Sequence, residues 1–383
     1  MKRRLALITE IISPYRIPVF NALAKQGDVD LHVIFLAETD PDLRQWKVYK
    51  DEIKFSYQVL PSWRKRVGRY NWLLNPGVGS ALSAFAPDVV LCGGYNYLAS
   101  WQAMLWSRMK EVPFLLWSES NVQDIRRAHP IVEFIKDEFL SRCSGFVVPG
   151  RSAKEYLRAH KIREESIFVA PNAVDNELFA TATLEALQHA GMRRTELALP
   201  ERYFLFVGRL VREKGVFELL SAYAKLDQAI RNQVGLVLVG YGAERAQLES
   251  IATTISPGIV KFAGFAQREQ LSSYYALAEV LILPTYSDPW GLVVNEAMAC
   301  GLPVIVCRVA GCAVDLVKES WTGLLTLPRD ESSLLAAMTK IASRPELRNI
   351  MSANCSRHIS HYSPEAWALG IIRALEGMEV KRG

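Results

Sequence analysis

Short runs of consecutive apolar residues alternate with longer amphipathic segments along the chain. The runs lie at 3–9, 31–37, 88–94, 112–118 and 145–150 in the first half and at 202–210, 235–242, 280–285 and 302–308 in the second. Because these runs are continuous rather than alternating, they predict strands buried on both faces, as in parallel sheets covered by helices. The pattern therefore predicts two successive α/β units along the chain.

The two series of predicted strands are separated by a polar break between about 173 and 200. A chain of 383 residues exceeds the size at which one core keeps growing, which favours two domains. We predict an amino-terminal domain at 1–180, a carboxyl-terminal domain at 181–360 and a terminal helix within 361–383. Ser363 as a cap and Pro364 at the first helical position indicate where that helix begins.

The charge of the chain changes this picture only locally. A net charge of +5 is too mild to predict nucleic-acid binding through many phosphate contacts. The stretch WRKRVGRYNW at 63–72 contains four cations and no acid among aromatic residues. Such a mixture suits anionic lipid headgroups at a membrane surface, whereas a solvated loop whose long side chains cover apolar neighbours accounts for it equally well.

The cysteines and the amino-terminal sequence indicate the cellular compartment in which the protein is expected. None of the six cysteines belongs to a CxxC pair or to a histidine-containing metal pattern, so they indicate small buried side chains in a reducing compartment. Thr9 and Glu10 interrupt the first apolar run too early for a signal peptide. No window reaches the roughly 18 apolar residues of a membrane span. We therefore expect a cytoplasmic protein, with peripheral contact to the cytoplasmic face of the inner membrane through 63–72 as an open possibility.

The segment YSDPWGLVVNEAMACG at 286–301 contains two acids eight positions apart, Asp288 and Glu296. It follows a predicted strand, where open α/β sheets place their ligands. A helix starting at Pro289 would leave the amides of Trp290, Gly291 and Leu292 free to bind an anion. The acids would lie on the order of 12 Å apart in a helix, about the span from a nucleotide ribose to a sugar beyond its diphosphate. Alternatively, Asp288 is only a helix cap and Glu296 a surface or paired carboxylate.

A second segment at 205–226 has the pattern of strand, turn and helix, with Gly208, Arg209, Lys214 and Gly215 at the turn. Two cations at the carboxyl end of a strand can neutralise a departing diphosphate as the bond to the sugar breaks. Each cation alone is a weak signal, because surface cations are common.

Four stretches, GRLVREKG, VLVGYGAERAQLE, FAGFAQREQLSSYYALAEVLILPT and DPWGLVVNEAMACGLPVIV, occur in this order and spacing. Together they resemble the carboxyl-terminal domain of retaining nucleotide-sugar glycosyltransferases of family four, of the type that builds bacterial surface polysaccharides. The resemblance covers about 200–330. It implies the GT-B fold, in which two Rossmann-like, doubly wound parallel-sheet domains face each other across a cleft and the terminal helix crosses back to pack on the first domain.

The resemblance also implies roles for residues of the second domain. Arg209 and Lys214 correspond to the cation pair that binds the donor diphosphate, with Gly208 beside them. The E-x7-E pair of the family maps to Asp288, on the donor sugar, and Glu296, on the ribose; here the first acid is Asp, one methylene shorter. The backbone near Gly264 and Phe265 corresponds to the base contact, so side chains do not disclose whether the donor is UDP- or GDP-linked.

The amino-terminal half resembles the family in the order of its predicted elements more than in its amino-acid sequence. Where relatives have a glycine-rich loop, this chain has Ser13, Pro14, Tyr15 and Arg16. Where a catalytic-side histidine falls in relatives, Glu119 stands here. We predict Tyr15, Arg16, Gly94 and Tyr95 on the acceptor side. We predict Glu119 as a cleft residue that holds the donor sugar or the acceptor, although turn chemistry accounts for Gly94 and a capping or structural carboxylate for Glu119 as well.

The resemblance thus implies a retaining, metal-independent glycosyltransferase, and we expect Arg209, Lys214, Asp288 and Glu119 to be its catalytic residues. The donor is a nucleoside diphosphate sugar used as co-substrate, with no cofactor or metal. The acceptor is a hydroxyl of a lipid-linked saccharide in lipopolysaccharide, capsule or exopolysaccharide assembly. The alternatives are an NAD(P)-dependent oxidoreductase, favoured by the partial dinucleotide fingerprint GYGAER at 240–245, and a catalytically silent nucleotide-sugar-binding protein.

Overall fold

The computed structural model describes residues 2–40, 45–67, 70–121 and 130–379, which form two compact units. The first unit contains the chain up to Val174 together with the segment from Ser363 onwards. The second unit contains Asp175–Tyr362. It begins before the predicted boundary of 181, so the helix that starts at Asn176 belongs to it as a whole.

The first unit is built on a sheet of seven parallel strands, ordered β3-β2-β1-β6-β7-β8-β9. A hairpin of β4 and β5 is separate from it. The strands are β1 (Arg3–Thr9), β2 (Val29–Phe35), β3 (Ser56–Val59), β4 (Trp63–Val67), β5 (Tyr70–Leu74), β6 (Val89–Gly93), β7 (Phe114–Trp117), β8 (Gly145–Val148) and β9 (Ile167–Val169).

Helices cover both faces of this sheet, and the terminal helix is one of them. The helices are α1 (Arg16–Ala24), α2 (Val78–Phe85), α3 (Leu98–Met109), α4 (Pro130–Ser141), α5 (Arg151–Ala159) and, from the end of the chain, α16 (Pro364–Glu379). As predicted, α16 begins at Pro364, and the Ser363 hydroxyl accepts the Ala366 N–H at 3.2 Å. It packs against α1, β8 and β9 and buries Trp367 in the first unit's core.

The second unit has six parallel strands in the order β12-β11-β10-β13-β14-β15. In chain order this is 3-2-1-4-5-6, the doubly wound arrangement in which ligands bind where the strand order reverses. The strands are β10 (Tyr203–Val207), β11 (Gly235–Val239), β12 (Val260–Gly264), β13 (Val280–Leu283), β14 (Val304–Cys307) and β15 (Gly323–Thr326). The reversal lies between β10 and β13, so the loops after these two strands define the site.

The helices of the second unit are α6 (Asn176–Gln188), α7 (Ala190–Glu196), α8 (Val216–Ala224), α9 (Gln228–Arg231), α10 (Arg245–Ala252), α11 (Arg268–Ala276), α12 (Leu292–Ala299), α13 (Ala313–Leu316), α14 (Glu331–Ser343) and α15 (Pro345–Ile359). The fold class is therefore the predicted one, with two Rossmann-like parallel-sheet units. The central strands β1, β10 and β13 are buried along their apolar residues, which is why the continuous apolar runs located them.

The basic stretch 63–72 forms the β4–β5 hairpin. Trp63 and Lys65 are exposed, but Arg64 is mostly buried and pairs with Asp40 and Glu10, so it is not a surface cation. Residues 68 and 69 and the side chains of 66–72 lie outside the described part of the chain. Membrane contact through this stretch stays a prediction. Among the described residues, no helix has the length and apolar character needed to cross a bilayer.

Candidate functional site

The loops that follow the strands of the second unit are tied together by backbone contacts. Tyr286, after β13, donates its N–H to the Glu213 carbonyl, after β10, at 2.8 Å. After β14, the Gly311 N–H donates to the Asp288 carbonyl at 3.0 Å. A Cβ on Gly311 would overlap the Pro289 carbonyl oxygen, so only glycine allows this approach. The point where the strand order reverses is therefore a rigid, close-packed set of loops.

Lys214 and Asp288 meet at this point. The Lys214 ammonium lies 2.6 Å from Asp288 Oδ2, and both side chains are mostly buried. Arg209, two residues after β10, is exposed on the same edge of the sheet. Gly208 belongs to the sheet's hydrogen bonding, because its N–H donates to the Val239 carbonyl at 3.0 Å. The structure thus places both predicted cations at the reversal point and shows that one of them, Lys214, forms an ion pair with the Asp288 carboxylate.

The helix after β13 begins later than the sequence predicted. It starts at Leu292 with Gly291 as its cap at φ +99°, so Pro289 lies before it rather than at its first position. The amide of Trp290 is not free either: it donates to Asp288 Oδ1 at 3.3 Å, and the buried indole N–H donates to Asn295. The Val294 N–H already donates to the Gly291 carbonyl at 2.9 Å. The helical N–H groups without an intrahelical acceptor are therefore those of Leu292 and Val293.

The delayed start of this helix has a tertiary cause. Backbone bonds from Gly311 and Cys312 to the carbonyls of Asp288 and Trp290 hold the segment beside the β14 loop. These carbonyls cannot then serve as the first acceptors of a helix. The estimate of about 12 Å between Asp288 and Glu296, which assumed a helix throughout, does not apply, since only the part from Leu292 is helical.

Glu296 lies inside the second unit, not on an accessible edge. The residue is 1% exposed, and its Oε2 accepts the Tyr275 hydroxyl at 2.6 Å. Burial raises the pKa of the Glu296 carboxyl to about 7, an effect that the Tyr275 hydrogen bond partly offsets. The structure therefore supports a paired, buried carboxylate, the alternative that the sequence left open. A ribose contact by Glu296 stays a prediction.

Burial of Glu296 is expected to make stability depend on pH. Its folded pKa of about 7 exceeds the ordinary value of 4.5, so the folded state holds the extra proton between these pH values. Stability therefore falls as pH rises from about 4.5 to 7 and is level above that. The free energy of unfolding is measured with urea at pH 5 and pH 8. Between these pH values it should fall by about 3 kcal/mol less in Glu296→Gln than in the unchanged protein.

Glu346 supplies the control, because it is exposed at the start of α15 in the same unit. Glu346→Gln should keep the pH dependence of the unchanged protein. Equal pH dependence in Glu296→Gln and the unchanged protein would mean that the Glu296 carboxyl titrates as it does in water.

Gly264 and Phe265 lie at the end of the edge strand β12. Gly264 accepts the Gly240 N–H at 2.7 Å, and Phe265, 37% exposed, packs edge-on against Tyr241 with ring centroids 5.9 Å apart. An aromatic pair at the carboxyl edge of the sheet offers a surface on which a planar ring can stack. The structure thus places the predicted base-contact segment on the same edge as Arg209 and Lys214.

The GYG sequence at 240–242 has a structural explanation. A Cβ on Gly240 would overlap the Gly208 carbonyl oxygen, and one on Gly242 would overlap that of Leu210. The Leu210 N–H in turn donates to the Tyr241 carbonyl at 2.8 Å. These glycines let the β10 and β11 loops pack together, so the partial dinucleotide fingerprint is accounted for without a dinucleotide.

In the first unit, a hydrogen-bonded group gathers at the carboxyl ends of three strands. The Arg16 guanidinium donates to Glu119 Oε1 at 2.5 Å and to Asn172 Oδ1 at 3.0 Å, and the Asn172 amide donates to the same Glu119 oxygen at 3.0 Å. Arg16 also lies over the Trp117 ring, 4.1 Å from its centroid. The structure thus brings two predicted residues, Arg16 and Glu119, into one charge-neutral cluster.

The other predicted residues of the first unit have mainly packing contacts. Tyr15 lies edge-on to Trp46 with centroids 5.6 Å apart. Gly94, at φ +87°, donates its N–H to the Trp117 carbonyl at 3.1 Å. The Tyr95 ring packs on Phe139, and burial raises the pKa of its phenol. Gly94 thus serves the turn after β6, and Tyr95 is anchored in the core beneath it.

Two residues that complete these groups were missed by sequence reasoning. Asn172 is buried and lies three residues after the end of β9, so its place after a short apolar run was a usable signal. Tyr275 lies near the end of α11, and nothing in the local sequence marks it as the partner of Glu296. Among the described residues, no group of three or more His, Cys, Asp or Glu side chains is arranged to hold a metal ion.

Comparison with known families and proteins places these features in context. Residues 188–358 match the family model described as "Glycosyl transferases group 1", and residues 19–178 match "Glycosyltransferase Family 4". A D-inositol 3-phosphate glycosyltransferase from Corynebacterium jeikeium is 32% identical over 221 residues, 55% of this chain and 52% of the relative. The chain therefore spans about half the length of this curated relative.

Two solved structures are similar over nearly the whole chain. A sucrose-phosphate synthase from Thermosynechococcus elongatus superposes with a TM-score of 0.77 at 22% identity, covering 99% of this chain and 100% of that one. HepE from Anabaena, solved in complex with UDP and glucose, gives 0.75 at 19% identity, covering 98% and 99%. At these identities the likeness shows the fold.

Proposed function

The chain belongs to the family-4 glycosyltransferases with the GT-B fold, and on this premise we propose that it transfers a sugar from a nucleoside diphosphate sugar to an acceptor hydroxyl. The second unit would hold the donor and the first unit the acceptor. We propose retention of the anomeric configuration and no requirement for a metal ion, as the family resemblance implies.

The observation that carries this proposal is the position of Lys214. Its ammonium is held by Asp288 at the reversal point of the second sheet, near the start of α12, and the exposed Arg209 lies on the same edge of that sheet. Cations and free helix amides at such a point stabilise the negative charge of a departing diphosphate. Asp288 can orient Lys214 and accept a sugar hydroxyl with its other oxygen.

In the proposed reaction, the bond between the anomeric carbon and the diphosphate oxygen breaks, and the acceptor oxygen bonds to that carbon on the same face. The acceptor proton goes to the departing phosphate oxygen. Within the first unit, the cluster of Arg16, Glu119 and Asn172 is neutral as a group, so it offers hydrogen bonds rather than net charge. We therefore assign it to a sugar hydroxyl.

We further propose that the acceptor is a lipid-linked saccharide of surface-polysaccharide assembly and that the donor is UDP- or GDP-linked. The complex of the structurally similar HepE with UDP and glucose supports a UDP-linked donor. Cytoplasmic location and contact of 63–72 with the membrane surface belong to the same proposal. The exposed Trp63 supports that contact.

A panel of nucleotides tests the donor assignment. Thermal unfolding is measured with UDP, GDP, ADP, dTDP and their glucose conjugates, and with NADH and NADPH as controls. Because a ligand of the folded state stabilises it by mass action, the cognate nucleotide at 100 times its Kd should add about 2.7 kcal/mol to stability. Stabilisation by a nicotinamide nucleotide alone would replace this proposal with an oxidoreductase.

A turnover assay then distinguishes an enzyme from a nucleotide-sugar-binding protein without catalytic activity. The nucleotide that stabilises the protein is supplied as its sugar conjugate with lipid-linked saccharide acceptors, and release of the nucleoside diphosphate is followed. Binding without release on any acceptor would leave a nucleotide-sugar-binding protein.

A further inference from the structure

A cavity of about 460 Å³ lies at the amino-terminal edge of the second unit's sheet, opposite the loops that hold Lys214. Its walls come from the residues just before β10, β13 and β14 and from α6, α7, α11, the end of α12 and α15. This volume is in the range of small-molecule sites. Because the parallel strands begin here and end at the candidate donor site, the two places are on opposite edges of one sheet.

Three arginines line this cavity, but one carboxylate is shared by two of them. Arg202 donates to both oxygens of Glu279, at 2.5 and 3.1 Å, and Arg348 donates to Glu279 Oε2 at 2.5 Å. The exposed fractions of these side chains are 32% for Arg202, 17% for Arg348 and 10% for Glu279. A single negative charge therefore faces two positive ones.

The third arginine, Arg194, has no compensating buried charge among the described residues. Its guanidinium donates to two neutral carbonyls, those of Pro200 at 2.8 Å and Leu277 at 3.4 Å. The carboxylate that the structure pairs with it, Glu201, is 3.7 Å away and 87% exposed, so water and salt screen it. The lining thus holds three guanidinium groups against two carboxylates, a surplus of one positive charge in a partly buried setting that a bound anion would balance.

The remaining lining suits a small phosphorylated molecule. Asn349 and Ser352 of α15 supply hydrogen-bonding groups, while Leu187 and Leu302 supply apolar surface. Guanidinium groups bind phosphate oxygens through paired, charge-assisted hydrogen bonds. We propose that this cavity binds a phosphorylated small molecule, at a site separate from the diphosphate-binding loops of the same unit. This proposal does not depend on the reaction assigned to those loops.

Inorganic phosphate is the probe, titrated into the full-length protein by calorimetry in phosphate-free buffer at constant ionic strength. Arg194→Gln and Arg348→Gln should each weaken phosphate binding at least tenfold. Arg348→Gln leaves Glu279 paired with Arg202, and circular dichroism and thermal unfolding without phosphate verify that each variant is folded. Lys214→Gln should keep the binding, because it alters only the opposite edge.

Arg344→Gln is the matched control, since it removes an exposed arginine at the start of α15, outside the cavity. It should bind phosphate as the unchanged protein does. The proposal is overturned if the unchanged protein binds no phosphate, if both cavity variants bind it normally, or if Lys214→Gln abolishes the binding.

Discussion

Replacing Lys214 by glutamine is expected to lower kcat for sugar transfer by about 10²- to 10³-fold, the range found when one preorganised charge-stabilising group is removed. The ammonium lies where the departing diphosphate would gain negative charge, held 2.6 Å from Asp288. The substitution also leaves the Asp288 carboxylate without its partner, which adds repulsion toward the diphosphate. Steady-state release of the nucleoside diphosphate, followed at saturating acceptor, measures the effect.

A double variant separates the two contributions. In Lys214→Gln combined with Asp288→Asn, the uncompensated acid is gone but the cation is still missing. Because Asp288 is itself assigned to a sugar hydroxyl, Asp288→Asn alone is the reference, and the double variant should have a kcat about 10²- to 10³-fold lower than this reference if Lys214 acts on the diphosphate itself. Recovery to the kcat of this reference would mean that Lys214 serves only to neutralise Asp288.

Lys225→Gln is the control for loss of a paired lysine in the same unit. Lys225 is 62% exposed and forms an ion pair with Glu331. Its substitution should leave kcat within about twofold of the unchanged value, because exposed ion pairs contribute little. Retention of full activity by Lys214→Gln would remove this lysine from the reaction.

Replacing Gly311 by alanine is expected to lower the free energy of unfolding by about 3 kcal/mol, the upper part of the usual range for overpacking. The added Cβ would overlap the Pro289 carbonyl oxygen and crowd the Trp290 Cα, which are backbone atoms that cannot rotate away. Relief requires the β13 and β14 loops to separate, and the bond from the Gly311 N–H to Asp288 would then be lost. Urea unfolding followed by tryptophan fluorescence measures the change.

Gly191→Ala is the matched control. Gly191 is exposed within α7 of the same unit, and a Cβ there would have no neighbour within 4 Å. Alanine should raise stability by about 0.5–1 kcal/mol, because it favours the helix. If both substitutions have the same small effect, the loops at the reversal point are not as tightly packed as the structure indicates.

The position of Gly311 also links stability to the site. Its N–H holds the backbone of Asp288, whose side chain holds Lys214. Gly311→Ala is therefore expected to reduce activity at temperatures where the protein is still folded. Gly311, which has no assigned contact with the substrate, would thus fix the geometry of the two residues that are assigned to substrate binding.

Much of the fold was predictable because it is encoded locally. The runs at 202–210 and 280–285 located β10 and β13, since strands buried on both faces must be apolar throughout. Six strands were not predicted, namely β3, β4, β5, β9, β12 and β15. They are short, and half-buried Lys261 interrupts the apolar pattern of β12. The first predicted run, 3–9, coincides with β1, whereas each of the other runs extends past its strand because the apolar pattern continues into the loop that follows.

The site was predictable in its residue types and less so in its geometry. Lys214 and Asp288 were expected near a diphosphate, and they do lie together, although 74 positions separate them. The start of α12 was misplaced because Pro289 and Asp288 have the local signature of a helix start. Two backbone bonds from the β14 loop override that signature.

By itself, the sequence determined the α/β class, the two series of strands, the terminal helix at Pro364 and the family resemblance. Each of these rests on periodicity, capping or motif spacing along a short stretch of chain. Only the tertiary structure decided that Glu296 is buried against Tyr275, that Asn172 joins Arg16 to Glu119, and that three arginines crowd one cavity. Burial, pairing and charge surplus depend on which distant segments meet, and a local pattern carries no information about its partner.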